Sequence, residues 1–385
     1  MLPQIDRQFV TGTLQKLVQI NSVNPKLDST APGEEEIGLF IAQILKGLKL
    51  KPEIHQLEPG RINVTAVLRG NGGGRSLMIN GHLDTVGVQD MRNPFSGDIS
   101  GGRIFGRGAM DMKGGIAAAL GMAKALTESD IQLRGDLILA FVADEEYASI
   151  GAENLVKTHR ADAAVVTEPT GLNLCLAHKG FGLFEITTLG RAAHGSRPEE
   201  GIDANMHMAW IMNGLDRLSR NLQYGSPHYL LGRPSLHIPV INGGTEPFTY
   251  AAKCIMKVER RTIPGESQAE TLAEINTLLQ SLSAQNPHFN AKVKTVIWRD
   301  AYEADKKHEL VKAVNQSVEE VTGREPAVIG HPWWEDSGIL AKAGIQTVII
   351  GPKGSGLHTK EEWVDIQSVF DLAGILLQTA ISFCS

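Results

Sequence analysis

The sequence predicts an α/β protein, a mostly parallel-sheet catalytic domain covered by helices, with an inserted ferredoxin-like α+β domain. Three observations carry that expectation. Continuous apolar runs bounded by charge, such as Asp136–Ala143 (DLILAFVA), suit strands buried on both faces. Such runs alternate with amphipathic or Ala-rich stretches, and that alternation implies a parallel sheet with helices on both sides. In the middle of the chain the order changes to β-α-β-β-α-β, a split ferredoxin-like unit that fits an insertion.

The first 55 residues read as helices, over Ile5–Gln19 and Glu34–Leu48, where apolar residues recur at helical spacing. Strands are expected at Asn63–Leu68, Ser76–Asn80, Asp136–Ala143, Ala163–Thr167 and Leu174–Ala177, with a helix over Lys113–Leu126. The middle segment offers strands at Phe181–Leu189, Ser235–Ile241, Ala252–Thr262 and Ala291–Trp298, and helices over Ile202–Leu218 and Ser267–Leu282. A helix over Glu309–Val321, a strand at Gln346–Ile350 and a helix over Ile366–Ile381 resume the α/β alternation. The expected domains are therefore 1–178 and 300–385 for the larger unit, and 179–299 for the insertion.

Length and charge narrow the function. At roughly 150 residues per domain, 385 residues suit two domains. The balance of 37 basic and 43 acidic residues, net −6, disfavours a nucleic-acid binder, which needs a clustered cationic surface. Cys175, Cys254 and Cys384 are odd in number and far apart, so neither a disulfide framework nor a CxxC metal site is expected. No run reaches the ~18 uninterrupted apolar residues of a membrane span. The opening MLPQIDRQFV lacks a basic segment leading into an apolar one. The expectation is a cytoplasmic protein without a membrane partner.

Five motifs carry chemistry. Gly81-His-Leu-Asp-Thr follows an apolar strand, and alternation points His82 and Asp84 to the same side. A histidine with a carboxylate beside it suits a metal ligand and its orienting partner, and equally a core histidine with a solvated aspartate. In Gly106-Arg-Gly-Ala-Met-Asp-Met-Lys-Gly-Gly the glycines give neither a phosphate-loop nor a dinucleotide spacing. Asp111 there can bridge two cations, or simply cap the helix that follows. Asp144-Glu145-Glu146 ends the DLILAFVA strand, where parallel sheets bind ligands. One glutamate on a metal and its neighbour free as a base is one use, and a solvated acidic turn is the other. Glu168, in Thr167-Glu-Pro-Thr, ends the next strand, and His358 lies in a glycine-rich loop near the C-terminus. Two imidazoles and four carboxylates, most of them at strand ends, suit a site in which one carboxylate bridges two ions.

The blocks GHLDTV, GRGAMDMKGG, ADEE, TEPT, HGSRPEEGIDA, ERRTIPGE and GSGLHTKEEWV run from residue 81 to 364. In content and order they resemble the M20 metallopeptidase family, which includes acetylornithine deacetylase, succinyl-diaminopimelate desuccinylase, aminoacylases and di-, tri- and carboxypeptidases. The resemblance implies that His82, Asp111 and Glu168 hold one divalent ion and that Asp111, Glu146 and His358 hold the other. The ions would be Zn²⁺, with Co²⁺ or Mn²⁺ as substitutes. Glu145 would be the general base and later acid, and Asp84 would orient His82. His194 would reach the active site of the partner subunit in a homodimer, polarising the scissile carbonyl and stabilising the oxyanion. Arg261 would bind a substrate carboxylate. The implied reaction is hydrolysis of the amide of a small N-acyl amino acid, acetylornithine or succinyl-diaminopimelate being examples. A di- or carboxypeptidase acting on short peptides is the alternative, and a non-catalytic binding protein with the same fold is a third.

One departure bears on the substrate. Where the family commonly has an asparagine after the Gly243-Gly244 pair and a proline three residues later, this chain has Phe248 and Ala251. Trp333 and Trp334 are read as packing residues rather than pocket walls, and Cys175 and Cys254 as buried small hydrophobes.

Overall fold

The computed structural model describes residues 3–385. They form two compact units. One comprises the described residues up to Leu176 with Ala304–Ile329 and Glu335–Ser385; the other comprises Ala177–Glu303 and Gly330–Trp334.

The first unit is built on a sheet whose four central strands, in the order Leu137–Val142, Leu77–His82, Ala163–Val166 and Gln346–Ile349, are parallel. The first three are buried at every residue, which is what their unbroken apolar sequences require. Flanking pairs are antiparallel: Arg61–Leu68 joins Leu137–Val142, and Glu53–Glu58 joins Arg61–Leu68 as the outer strand. The parallel alternation thus holds at the centre and gives way at the margins. Strand Glu53–Glu58 lies in a region the sequence assigns to no element after the second helix. Its residues, EIHQLE, are largely exposed, so there is little hydrophobic alternation to announce it.

Helix Gly114–Thr127 is Ala-, Gly- and Met-rich and buried on almost every side, as expected of a helix apolar all round. It packs against Arg7–Gln19 and Ile366–Phe383. The last of these is long and apolar enough to cross a membrane by length and composition, yet more than half of it is buried in the core. A side-chain cap fixes its start, where Asp365 accepts the Ser368 N–H.

Register aligns the site. His82 pairs with Val142, and Asn80 with Val166, so His82 and Glu168 each lie two residues past one level of the sheet, with Asp144 just beyond. A small antiparallel sheet supplies the rest. Trp363–Asp365 pairs with Arg103–Phe105 on one side and Gly354–Ser355 on the other. That pairing draws together the loop after Phe105, which carries Asp111, and the loop before Trp363, which carries His358. Neither three-residue strand has enough length to be read from sequence.

The second unit has four antiparallel strands in the order Ser235–Gly243, Lys253–Thr262, Gly180–Leu189, Ala291–Arg299, with helices Ala204–Leu222 and Gln268–Gln285. The two central strands alternate buried and half-buried residues, the pattern of a sheet covered on one face. Phe184, Ile186, Met208, Ile211, Met256 and Val258 form its core, and Cys254 is buried among them. Trp334 is buried edge-on to Phe181 and His178, in line with a packing role.

Candidate metal centre

Two overlapping triads sit at the ends of the parallel strands. In each, His82, Asp111 and Glu168 on one side and Asp111, Glu146 and His358 on the other, the ligand atoms lie within 4.8 Å of one another. Asp111 belongs to both. Its Oδ1 lies 3.0 Å from His82 Nε2 and its Oδ2 lies 3.3 Å from His358 Nε2, so one carboxylate oxygen faces each triad. Glu168 Oε1 is 3.4 Å from His82 Nε2, and Glu146 Oε2 is 3.2 Å from His358 Nε2.

Local structure explains these positions. Asp144 takes a left-handed φ of 73° at the end of its strand, and its carbonyl accepts the Ala148 and Ser149 N–H groups. The resulting tight turn presents Glu145 and Glu146. Asp111 does not cap the following helix, whose first turn has no side-chain cap; its φ and ψ of −118° and 93° are non-helical. The sequence alternative of a plain capping aspartate is therefore not realised. Gly115 lets that helix approach the Glu168 strand, because a Cβ there would lie 2.4 Å from the Thr167 carbonyl oxygen.

Asp84 is placed differently from the expectation. His82 Nδ1 meets the Asp84 main-chain carbonyl at 2.9 Å, while the nearer carboxylate oxygen is 3.6 Å away. The carboxylate is drawn off by other donors: the Glu145 N–H (3.1 Å), the Glu146 N–H (3.2 Å) and Asn24 Nδ2 (2.8 Å). The expected carboxylate–imidazole bond is thus a carbonyl–imidazole bond. Asp84 instead anchors the main chain of both glutamates.

Four buried residues that sequence reading did not single out hold the centre in shape. Asn24 Nδ2 also reaches Asp144 Oδ1 at 2.9 Å. Arg61 bonds Asp144 and, through two nitrogens, Glu34, whose carboxylate also accepts the Asp144 N–H. Glu362 accepts the main-chain N–H groups of Gly108, Met110 and Asp111 and pairs with Arg107 at 2.7 Å. Glu362 lies in the quoted block GSGLHTKEEWV, so its place near the site was visible but its function as a loop clamp was not.

The electrostatics call for cations. Burial, against the pull of His82, pushes the Glu145 carboxyl well above its usual range, with Glu168 and Asp336 adding to the rise. Burial likewise raises Glu146 and Glu168, with Asp111 adding to each. Hydrogen bonds to Asp111 and Glu146 raise His358 to about 10. Burial opposes charge on His82, yet Glu168 and Asp111 outweigh it and raise that group too. Positive charge is favoured between these side chains, and protons on the imidazoles compete with metal ions for that place. Glu146 Oε1 is buried with no hydrogen bond, an orphaned acceptor that a cation would satisfy. The donor set fits a pair of divalent cations.

The remaining candidates lie in the second unit. His194 is exposed; its Nδ1 accepts the Ser196 N–H at 3.2 Å and lies 2.8 Å from Ser196 Oγ. Arg261 pairs with Glu259 and stands over the Phe181 ring at 5.4 Å. Phe248 is 77 % exposed, and its carbonyl accepts the Gly195 N–H beside His194. Ala251 is buried.

The family model of peptidase family M20/M25/M40 matches residues 78–382. The chain belongs to this family. It is thereby a metal-dependent amidohydrolase or peptidase. Among relatives, N-formyl-4-amino-5-aminomethyl-2-methylpyrimidine deformylase of Bacillus subtilis is 28 % identical, over 96 % of this chain and 95 % of its own length. Acetylornithine deacetylase of Myxococcus xanthus is also 28 % identical, over 84 % of each chain. The crystal structure of aminopeptidase PepT from Bacillus cereus superposes with a TM-score of 0.80 at 19 % identity, covering 99 % of both chains. Its identity is too low to carry more than the fold.

Proposed function

We propose that this M20 member is a two-metal amidohydrolase that removes a small acyl group from the amino nitrogen of its substrate. The observation that carries the proposal is Asp111 offering one oxygen to each of two His-carboxylate triads. His82, Asp111 and Glu168 would hold one divalent cation, and Asp111, Glu146 and His358 the other, Zn²⁺ being the best match to these ligands. When bound, such a pair acidifies a water and polarises the amide carbonyl. Glu145 coordinates neither ion and acts as the base, taking the water's proton and passing it to the departing nitrogen. Its main chain is pinned by Asp84, which limits its motion to the side chain.

His194 supplies the oxyanion donor. Its Nδ1 accepts a main-chain N–H, so the ring proton resides on Nε2, the atom left to point at a developing negative charge. We place it in the site of a second copy of the chain. The homodimer is supported by an exposed strand edge at Ser235–Gly243, where Val240 and Ile241 are nearly half exposed. Arg261 would bind a substrate carboxylate with its guanidinium.

Two substrate classes remain in play, each with its own support. Arg261 favours an N-acyl amino acid such as acetylornithine. Phe248, an exposed ring where an asparagine is common, favours an aromatic amine partner, and a pyrimidine deformylase is among the relatives. A panel of N-acetylornithine, N-succinyl-diaminopimelate, the N-formyl aminomethylpyrimidine and dipeptides, assayed with added Zn²⁺ or Co²⁺, separates them. Turnover confined to dipeptides would overturn the deacylase reading and leave a peptidase.

A further inference from the structure

A second, unrelated ligand cluster lies in the first unit. We propose that Glu53, His55 and His159 form a third metal site, which takes one Zn²⁺ ion, or Cu²⁺ or Ni²⁺, and staples the outer strand of the sheet to its covering helix. The three residues offer ligand atoms within 4.8 Å of one another. Glu53 and His55 are two apart in strand Glu53–Glu58, so their side chains share a face. His159 is the residue that ends helix Ile150–Thr158. That helix starts just after the Glu145 turn, and nine residues at 1.5 Å each carry His159 roughly 13 Å along its axis, away from the catalytic centre.

The surroundings of the two rings suit a metal. Thr158 Oγ1 lies 2.9 Å from His159 Nδ1 and holds that side of the ring. One ring nitrogen is thus held by a neighbour, as is usual for metal-binding histidines. His55 Nε2 is buried with no hydrogen bond, and the nearest acid oxygen, on Glu53, is 3.6 Å away. The two rings meet edge-on at 5.8 Å.

A cavity of about 520 Å³ opens beside the cluster and gives a fourth position to water. Its arginines are otherwise engaged. Arg69 pairs with Asp136 at 2.5 Å, Arg134 donates to the Gly73 carbonyl at 3.2 Å, and Arg160 donates to the Val156 and His159 carbonyls. Two imidazoles and a carboxylate around an open position suit Zn²⁺ or its later transition-metal neighbours and not Mg²⁺ or Ca²⁺, which prefer all-oxygen shells. The physical consequence follows from where the ligands sit. An outer strand presents unpaired main-chain groups to other chains, and a ligand bound only by the folded form holds it in place.

The test counts ions on the full chain. Wild type, His159→Ala, His55→Ala and the mostly exposed Glu53→Gln are dialysed against micromolar free Zn²⁺ and the metal per chain is measured. The expected result is three ions on wild type and two on either histidine variant, with turnover unchanged, and at least tenfold weaker occupancy of the third site in Glu53→Gln. Zn²⁺ above the amount that fills the catalytic pair should raise the melting temperature of wild type and not of His159→Ala. A control, His82→Ala, should lose catalytic metal yet keep the third ion, so failure of the catalytic proposal is read separately. Two ions on wild type, or equal counts in wild type and His159→Ala, would overturn the third site.

Discussion

The two units hold their candidate functional residues in different ways. In the first, His82, Asp84, Glu168, Glu362 and Arg61 are buried, and every one is held by named neighbours. In the second, His194 and Phe248 face solvent, and Arg261 is a third exposed beside Glu259. Buried charge is costly unless paired, so it must be explained within its own unit. Exposed charge costs little, and its use is decided by whatever comes to meet it. The first unit therefore identifies its own chemistry, whereas the second defers to a substrate or a second chain.

The largest effect expected on the buried side separates two adjacent residues. Glu145→Gln should keep both metal ions and lose on the order of 10²–10⁴ in kcat, the usual worth of a general base. Glu146→Ala should lose metal instead. Metal counts and steady-state rates on the two proteins check this, and normal turnover in both would break the division of labour. In wild type, kcat/KM should fall toward acid pH with its limb above 4.5, because Glu145 must be ionised to take a proton and burial raises its pKa.

Next in size is the exposed side. His194→Ala should cost about 10²–10³ in kcat, as loss of one oxyanion donor does. Mixing it with Glu145→Ala subunits should restore partial activity, since the His194→Ala chain keeps its own base and borrows the other chain's histidine. No recovery in confirmed heterodimers would return His194 to its own subunit or remove it from the site.

A stability contrast follows. Arg61→Met leaves Glu34 and Asp144 buried without their cation and should cost about 3–5 kcal/mol in denaturant unfolding. Exposed Arg197, paired with Glu200 at 2.9 Å, should cost under about 1 kcal/mol when replaced by alanine. Equal losses would erase the difference between the units. The smallest effect concerns Glu185, whose carboxyl is held at about 2 by Lys257 and then Lys294. Its folded pKa is below the unfolded value of 4.5, so its contribution is complete above 4.5 and fades as pH falls toward 2. Glu185→Gln should flatten the acid limb of unfolding in that window.

Much of this was legible in the sequence. Strand ends followed by His82, Glu145 and Glu168 could be read because apolar runs stop abruptly at charged residues, and the sheet places those stops side by side. The convergence of Asp111 and His358 was visible only by resemblance. It depends on three-residue strands, too short to show a period. Asn24, Arg61 and Glu34 escaped notice because a buried polar network has no spacing rule; its members come from a loop, a helix start and a strand far apart in the chain. Strand Glu53–Glu58 was missed for a related reason, since an outer strand with polar side chains carries no apolar alternation. The asymmetry between the units extends to sequence reading: main-chain periodicity revealed the second unit's elements closely, while its functional side chains took their meaning from the family.

The most direct measurement is anomalous diffraction from crystals of the full chain grown with Zn²⁺. Two strong peaks about 3.5–4 Å apart at the strand ends, with the Asp111 carboxylate between them, are the predicted result, apart from the peak expected at His55 and His159. A single peak that does not touch Asp111, or none among His82, Glu146, Glu168 and His358, would contradict the two-metal assignment and the roles built on it.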